Sequence, residues 1–219
     1  MKKILTNILF LITILTHPIF LPIYLSIWFF FSRSNQVPVV YLYFIPMQLK
    51  FKWSLLYTSL TTALPLIILF MAKIFKMIDK ITLESVRDRR YFFLLIGVYY
   101  WFLFYMFREL YAREFFRPTI VLIGVMSVVM FISSLLSSSL FKISVHAAGY
   151  GVLTGFFVSL TLIYKSFFLP EIYDCIIISS FVMLLRLITK AHTFAELLIG
   201  WTMGLISTIL IFTTIYNIY

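Results

Sequence analysis

The sequence contains one cysteine, Cys175, and only three histidines among its 219 residues. A single thiol excludes an intrachain disulfide and a cysteine metal cluster. Charged residues are also scarce, at 12% of the chain, whereas ordinary globular proteins contain about a quarter. So little charge beside 63% hydrophobic residues excludes a soluble domain of ordinary proportions and predicts an integral membrane protein.

The charge that is present is mostly positive, with 18 Lys and Arg against 8 Asp and Glu. These basic residues lie mainly in short segments between apolar runs, where such residues face anionic lipid headgroups. This distribution argues against nucleic acid as a partner. The bilayer is the predicted partner, and no feature of the sequence indicates an obligate protein partner.

Apolar runs fill most of the chain and predict its fold. About 20 apolar residues cross a bilayer as a helix. Seven runs are close to that length or longer, at 4–31, 53–75, 91–107, 118–141, 147–168, 172–189 and 195–217. We therefore predict one all-α domain over residues 1–219, a polytopic bundle of six to seven transmembrane helices.

The first run and the segment after it are less regular than the rest. His17, Pro18 and Pro22 interrupt the first run, since proline removes a backbone donor and clashes with the preceding turn. The run is either one kinked span or a short re-entrant or interfacial piece followed by a span. Segment 32–52 is rich in aromatic residues beside two lysines, which is typical of a helix at the headgroup level.

Three polar breaks, at 77–90, 142–146 and 187–194, lie on one face of the membrane if the runs between them span it. Two spans separate each break from the next, so this relation does not depend on the first run. Ionisable groups at membrane depth are costly, and a functional site is their default interpretation. The side chains that would converge on one pocket are Lys80, Arg87, Ser144, His146, Arg186, His192 and Glu196.

The spacing of these residues resembles the type 2 phosphatidic acid phosphatase superfamily, whose helical core is similar to that of the vanadium haloperoxidases. The family pattern is Lys, six residues and Arg-Pro; then Ser-Gly-His; then Ser-Arg, five residues, His, three residues and Asp. Order and internal spacing are kept here by Lys80 with Arg87, Ser144 with His146, and Arg186 with His192 and Glu196. Four positions depart from the pattern, with Asp88 for proline, Val145 for glycine, Leu185 for serine and Glu196 for aspartate.

The resemblance covers roughly residues 77–204, the expected phosphatase-like core, and the region from Thr16 to Pro22 resembles the start of a small divergent bacterial branch. It implies a multi-pass protein of the bacterial inner (cytoplasmic) membrane that hydrolyses a lipid phosphate or pyrophosphate without a metal or other cofactor. Phosphatidic acid, phosphatidylglycerol phosphate, undecaprenyl pyrophosphate and the phosphates of lipid A all remain open as substrates.

The resemblance also implies a mechanism. His192 attacks phosphorus to form a phosphohistidine, while His146 protonates the departing alkoxide and later activates water. Charge redistributes over the phosphoryl oxygens as the bond breaks, so fixed cations and hydrogen-bond donors must face those oxygens. The expected phosphate ligands are Lys80, Arg87, Ser144 and Arg186.

Glu196 has two interpretations. It lies one helical turn after His192, where a carboxylate holds the second ring nitrogen of a nucleophilic imidazole. The stretch Thr193-Phe-Ala-Glu196 before an apolar run is also a capping-box signature. Ser144 can likewise be read as a helix N-cap.

The basic residues near Arg87 and the first histidine also have more than one interpretation. Arg89 or Arg90 could replace Arg87 as a phosphate ligand or bind lipid headgroups. His17, beside two prolines, is either structural or part of a substrate entrance. For the whole protein, the alternatives to a phosphatase are a non-hydrolytic lipid-headgroup binding or transport protein and a catalytically impaired relative.

Overall fold

The computed structural model describes residues 11–32, 42, 44–81, 83, 85–111, 117–137 and 142–218, and the start of the first apolar run and most of segment 33–43 lie outside them. Apart from turns, the described residues are helical and none forms a strand, which confirms the predicted all-α class. The longer helices are α1 (Leu21–Phe31), α2 (Met47–Ile74), α3 (Val86–Tyr111), α4 (Arg117–Leu136), α5 (Val145–Tyr164), α6 (Leu169–Ile188) and α7 (Phe194–Ile218).

Five helices, α2, α3, α4, α5 and α7, are long and apolar enough to cross a membrane, which indicates an integral membrane protein. Helix α6 has 20 residues but carries three charged side chains, Glu171, Asp174 and Arg186. Helix α1 has 11 residues and reaches about 16 Å, roughly half of the hydrocarbon core. The first apolar run is therefore broken at His17, where a 3₁₀ turn, Pro18–Phe20, precedes α1.

Helix α2 begins earlier than the predicted span at 53–75. Its 28 residues include 47–52, which the sequence pattern assigns to a helix at the headgroup level. A helix of that length is about 42 Å long, longer than the hydrocarbon core, so its first turns extend to the headgroup region.

The outer surface of α3 is apolar, whereas a soluble protein exposes a mainly polar surface. Leu94, Val98, Trp101, Phe102 and Tyr105 recur at helical spacing and are 49% to 64% exposed. A continuous exposed apolar stripe of this kind is unfavourable in water and favourable against lipid. The opposite side of α3 packs against α4.

A π-helical turn, Ser59–Ala63, interrupts α2 beside the site described below. Pro65 has no N–H to donate to the carbonyl four residues earlier, that of Thr61. The Tyr100 hydroxyl donates to the Thr61 carbonyl at 2.8 Å, and the Tyr99 hydroxyl donates to the Leu60 carbonyl at 2.6 Å. Helix α3 thus supplies the donors that α2 lacks, which fixes these two helices against each other in a medium without water.

Helices α5 and α7 pack closely along their length, and small residues make this approach possible. A Cβ atom added at Gly151 would lie 2.1 Å from the Trp201 carbonyl oxygen, and one at Gly204 would lie 2.1 Å from the Ala148 carbonyl oxygen. Close backbone contact of this kind is how helices associate in lipid. It brings the N-terminal ends of α5 and α7 together, and these ends carry His146 and Glu196.

We expect Gly204→Ala to destabilise the protein, because the new methyl group meets backbone that must move. The loss should be at least about 1–3 kcal/mol, measured as a lower thermal midpoint in detergent. Gly124→Ala is the matched control, because the atoms nearest to its Cβ would belong to the Phe104 ring, at 3.1 Å, and not to backbone. Equal midpoints for the two variants would contradict a backbone contact between α5 and α7.

Candidate functional site

A cavity of about 290 Å³ lies between the turn at His17, helices α1 to α5 and the last turn of α6. Deep in the bundle its walls are apolar, with Leu25, Ile96, Leu122 and Met126 among them. Its histidine and basic side chains come from helix ends and the adjoining turns. They are His17, Arg89, Lys142, His146, Arg186 and His192.

The end of α6 positions His192. Lys190 adopts a left-handed conformation with φ of 52°, and the Ala191 N–H donates to the Arg186 carbonyl at 3.0 Å. The Lys190 N–H donates to the Leu187 carbonyl at 2.9 Å, which completes a Schellman motif. This turn reverses the chain, so His192 lies directly between α6 and α7.

The His192 ring is held through one nitrogen. Its Nδ1 lies 3.1 Å from the Lys142 carbonyl oxygen and 3.3 Å from Oε2 of Glu196. Both of these neighbours are hydrogen-bond acceptors, so Nδ1 carries the proton and Nε2 keeps its lone pair. An imidazole in this tautomer, lining a cavity, is prepared to act as a nucleophile or base.

The electrostatic environment keeps His192 neutral. Burial lowers the pKa of His192 below its ordinary value of 6.5, and the charges of Arg186 and Lys142 lower it further. The neighbouring carboxylate of Glu196 opposes this shift. The net direction is downward, so Nε2 is unprotonated at neutral pH.

Glu196 makes the contacts of both interpretations that the sequence leaves open. Its Oε2 accepts the Thr193 N–H at 2.9 Å, and the Glu196 N–H donates to the Thr193 hydroxyl at 3.3 Å, which is the reciprocal capping box. The same carboxylate contacts His192, and its Oε1 accepts the Lys142 N–H at 2.8 Å. One side chain therefore caps α7, orients the imidazole and ties the α4–α5 connection to the site.

His146 lies in the first turn of α5 and is 8% exposed. Its ring meets the His17 ring edge to face, with the centroids 4.8 Å apart. Among the described residues, no hydrogen-bond partner reaches its Nε2. A buried nitrogen without a protein partner is costly, which makes it a candidate contact for a ligand.

Ser144 is fully buried, and its hydroxyl accepts the Ala147 N–H at 3.4 Å as the N-cap of α5. It does not line the cavity, so its contacts are those of a helix cap rather than a phosphate ligand.

Arg186 lines the cavity, and its Nε has no hydrogen-bond partner in the part of the chain that the structure describes. Arg87 and Lys80 are exposed and do not line the cavity. The second arginine of the cavity is Arg89, which is 5% exposed. The motif pattern predicts Arg87 as the phosphate ligand, with Arg89 only as a possible replacement.

Asp88 explains why Arg89 faces inward. Its buried Oδ2 accepts the N–H groups of Asp79 and Lys80, at 2.9 and 3.3 Å, which fixes the rotation of α3 against the preceding turn. Residues two apart on a helix point about 200° away from each other. Once Arg89 faces the cavity, Arg87 must face outward.

Comparisons with protein-family models, with curated proteins and with solved structures gave no match. Any functional assignment therefore rests on the geometry of the site. Within the described ranges, no three His, Cys, Asp or Glu side chains are grouped so that they could hold a metal ion.

The backbone of Lys142 is the contribution that sequence reasoning missed. Its carbonyl and N–H contact residues 50 and 54 positions away, His192 and Glu196. No local pattern signals a contact of this kind, because any residue type presents the same backbone groups. The inward rotation of Arg89 had a partial signal, since Asp88 is an acceptor of hydrogen bonds next to the arginine that the sequence pattern selects.

Proposed function

We propose that this protein is a membrane-embedded, metal-independent phosphatase that hydrolyses a lipid phosphate or pyrophosphate through a phosphohistidine on His192. The observation that carries the proposal is the His192 ring, whose Nδ1 lies between the Lys142 carbonyl and the Glu196 carboxylate. Fixing the proton on Nδ1 leaves Nε2 as the attacking atom. The carboxylate also stabilises the ring when it becomes cationic.

The proposed reaction has two steps. First, Nε2 of His192 forms a bond to phosphorus, the bond from phosphorus to the lipid oxygen breaks, and His146 gives that oxygen a proton. Second, water attacks the phosphohistidine and gives its proton to His146, which releases phosphate and restores neutral His192. An incoming phosphate dianion favours the protonated form of His146, because an opposite charge nearby stabilises the cation.

Arg89 and Arg186 are the phosphoryl ligands of this proposal, since both line the cavity that holds the two histidines. A guanidinium presents planar, two-point donors that match phosphoryl oxygens. The apolar walls deeper in the bundle favour a lipid substrate, because they would accommodate the hydrocarbon next to the reacting phosphate.

We also propose six transmembrane helices, with α6 crossing in addition to the five. Helices α5 and α6 separate Lys142 from His192 along the chain, and the Lys142 carbonyl lies 3.1 Å from the His192 ring. If α5 crosses the membrane, α6 must cross back for these residues to meet. The acidic residues Glu171 and Asp174 lie in the first two turns of α6, and Arg186 lies in its last turn, so its middle is uncharged.

The direct test is phosphate release by the purified protein from a panel of lipid phosphates and pyrophosphates, with a chelator present. Transport of the same lipids in proteoliposomes is measured in parallel. Release with the chelator supports a metal-independent phosphatase. Movement of a headgroup across the bilayer without phosphate release would contradict it and favour a transport protein.

The two arginines separate this proposal from the motif pattern. We expect Arg89→Lys to lower kcat/KM about tenfold or more, because the charge stays but the two-point contact is lost. Arg87→Lys is the matched control on the same turn and should leave kcat/KM near wild type. A larger loss of kcat/KM in Arg87→Lys than in Arg89→Lys would indicate that Arg87 contacts the phosphate instead.

A further inference from the structure

His17 lies outside the three motifs, yet the fold fixes it at the same cavity. The carbonyls on either side accept hydrogen bonds from other helices, Thr16 from the Tyr150 hydroxyl at 3.3 Å and Ile19 from the Thr62 hydroxyl at 3.0 Å. Pro18 packs against Gly149 of α5, where an added Cβ would lie 2.6 Å from the proline Cβ. The turn at His17 is thus built onto α2 and α5.

The hydrogen bonding of His17 defines its tautomer. Its Nδ1 accepts the Ile19 N–H at 3.2 Å, as the N-cap of the 3₁₀ turn. A nitrogen that accepts a hydrogen bond cannot carry a proton, so the proton of the neutral ring is on Nε2. His17 therefore has the opposite tautomer to His192, whose proton is on Nδ1.

The polar part of the cavity is lined by two guanidinium groups and by the His17 ring. Nε of Arg186 has no acceptor among the described residues, and the only hydrogen bond of the His17 ring in that part of the chain uses its Nδ1. Arg89 adds a further guanidinium to the same cavity. Guanidinium and imidazole side chains that line one cavity fit a ligand that consists mainly of acceptors, as a phosphoryl group does.

We propose that His17 is a substrate-binding residue that donates its Nε2–H to an oxygen of the bound phosphoryl group. This inference rests on the proposed phosphatase function and adds a neutral donor from the N-terminal turn to the cations of the later helices. It also explains the edge contact between His17 and His146, because two rings that serve one phosphate must lie side by side.

Two substitutions separate this function from capping. The variant His17→Asn keeps a side-chain oxygen that can accept the Ile19 N–H, but it has no donor at the position of the histidine Nε2. The longer side chain of His17→Gln places an amide N–H near that position. We expect His17→Asn to lower kcat/KM about tenfold with an unchanged thermal midpoint, and His17→Gln to restore most of the loss.

A binding measurement makes the result independent of turnover. Inorganic phosphate is titrated into the His192→Asn protein, with and without His17→Asn, by calorimetry. We expect the second substitution to weaken phosphate binding about tenfold. The same titration with a lipid phosphate in mixed micelles shows whether the contact is to the phosphate alone or needs the lipid.

The outcomes distinguish this inference from the proposed function. If the wild-type protein releases no phosphate from any lipid yet His17→Asn weakens phosphate binding, the phosphatase fails and the His17 contact stands. If the wild type is active and His17→Asn changes neither kcat/KM nor phosphate binding, His17 is only a cap and the inference fails. The inference would also fail if His17→Asn and His17→Gln lost kcat/KM equally and both had lower thermal midpoints, because the effect would then be structural.

Discussion

His192→Asn should abolish phosphate release, with kcat falling on the order of 10⁴-fold or more, because no other group takes the place of a lost nucleophile. The fold should remain near wild type. The asparagine amide can donate to the Lys142 carbonyl and the Glu196 carboxylate, as His192 Nδ1 does, and the capping box at Thr193 is untouched. Phosphate release and the thermal midpoint in detergent are the two measurements.

The control for this prediction is His192→Ala, which removes the ring and both of its Nδ1 contacts. It should be equally inactive but less stable than His192→Asn. Substantial turnover by either variant would exclude the phosphohistidine. Trapping of labelled phosphate on the wild-type protein by rapid quenching, and its absence in His192→Asn, would locate the intermediate.

Glu196→Gln should lower kcat at least about 100-fold and also destabilise the protein. The sequence alone predicts a retained helix start, because glutamine can still cap Thr193. The contacts change this expectation, since Oε1 accepts the Lys142 N–H and Oε2 accepts the Thr193 N–H. An amide has one oxygen, so its NH₂ group must face a donor in either orientation.

Each orientation of the glutamine has a consequence. With NH₂ toward Lys142, the α4–α5 connection loses its tie to α7, at roughly 1–3 kcal/mol for an unsatisfied buried donor. With NH₂ toward His192, the ring must accept at Nδ1 and move its proton to Nε2, which removes the nucleophile. Thr193→Ala is the control, with about 1 kcal/mol lower stability and wild-type kcat.

The pH dependence of kcat/KM tests the contact between Glu196 and His192 independently. Burial and nearby cations depress the pKa of His192, so activity should persist below pH 6.5 and be lost only as the pH falls through the lowered value. Glu196 raises that pKa, and its neutralisation should move the acidic limb of kcat/KM to lower pH. If the acidic limb of kcat/KM moves to higher pH in Glu196→Gln, the result would contradict a contact between Glu196 and His192.

Several features of the site could be predicted from residue spacing. The capping box and the carboxylate one turn after His192 are local relations on one helix, and the structure contains both. The rotation of α3, which decides which of its side chains face the cavity, was not predictable in this way. Arg87, Arg89 and Arg90 are chemically equivalent candidates in the sequence, and only the burial of Asp88 against the preceding turn selects Arg89 for the cavity.

The sequence by itself determined the all-α membrane class, because apolar runs and charge-poor composition act through solvation and need no partner helix. It also determined the ends of most helices to within about six residues, since prolines, polar breaks and capping residues act within a turn or two. Only the tertiary structure decided which residues meet. The Lys142 backbone, the inward rotation of Arg89 and the turn at His17 reach the cavity through contacts between residues far apart in the chain, and such contacts depend on helix packing.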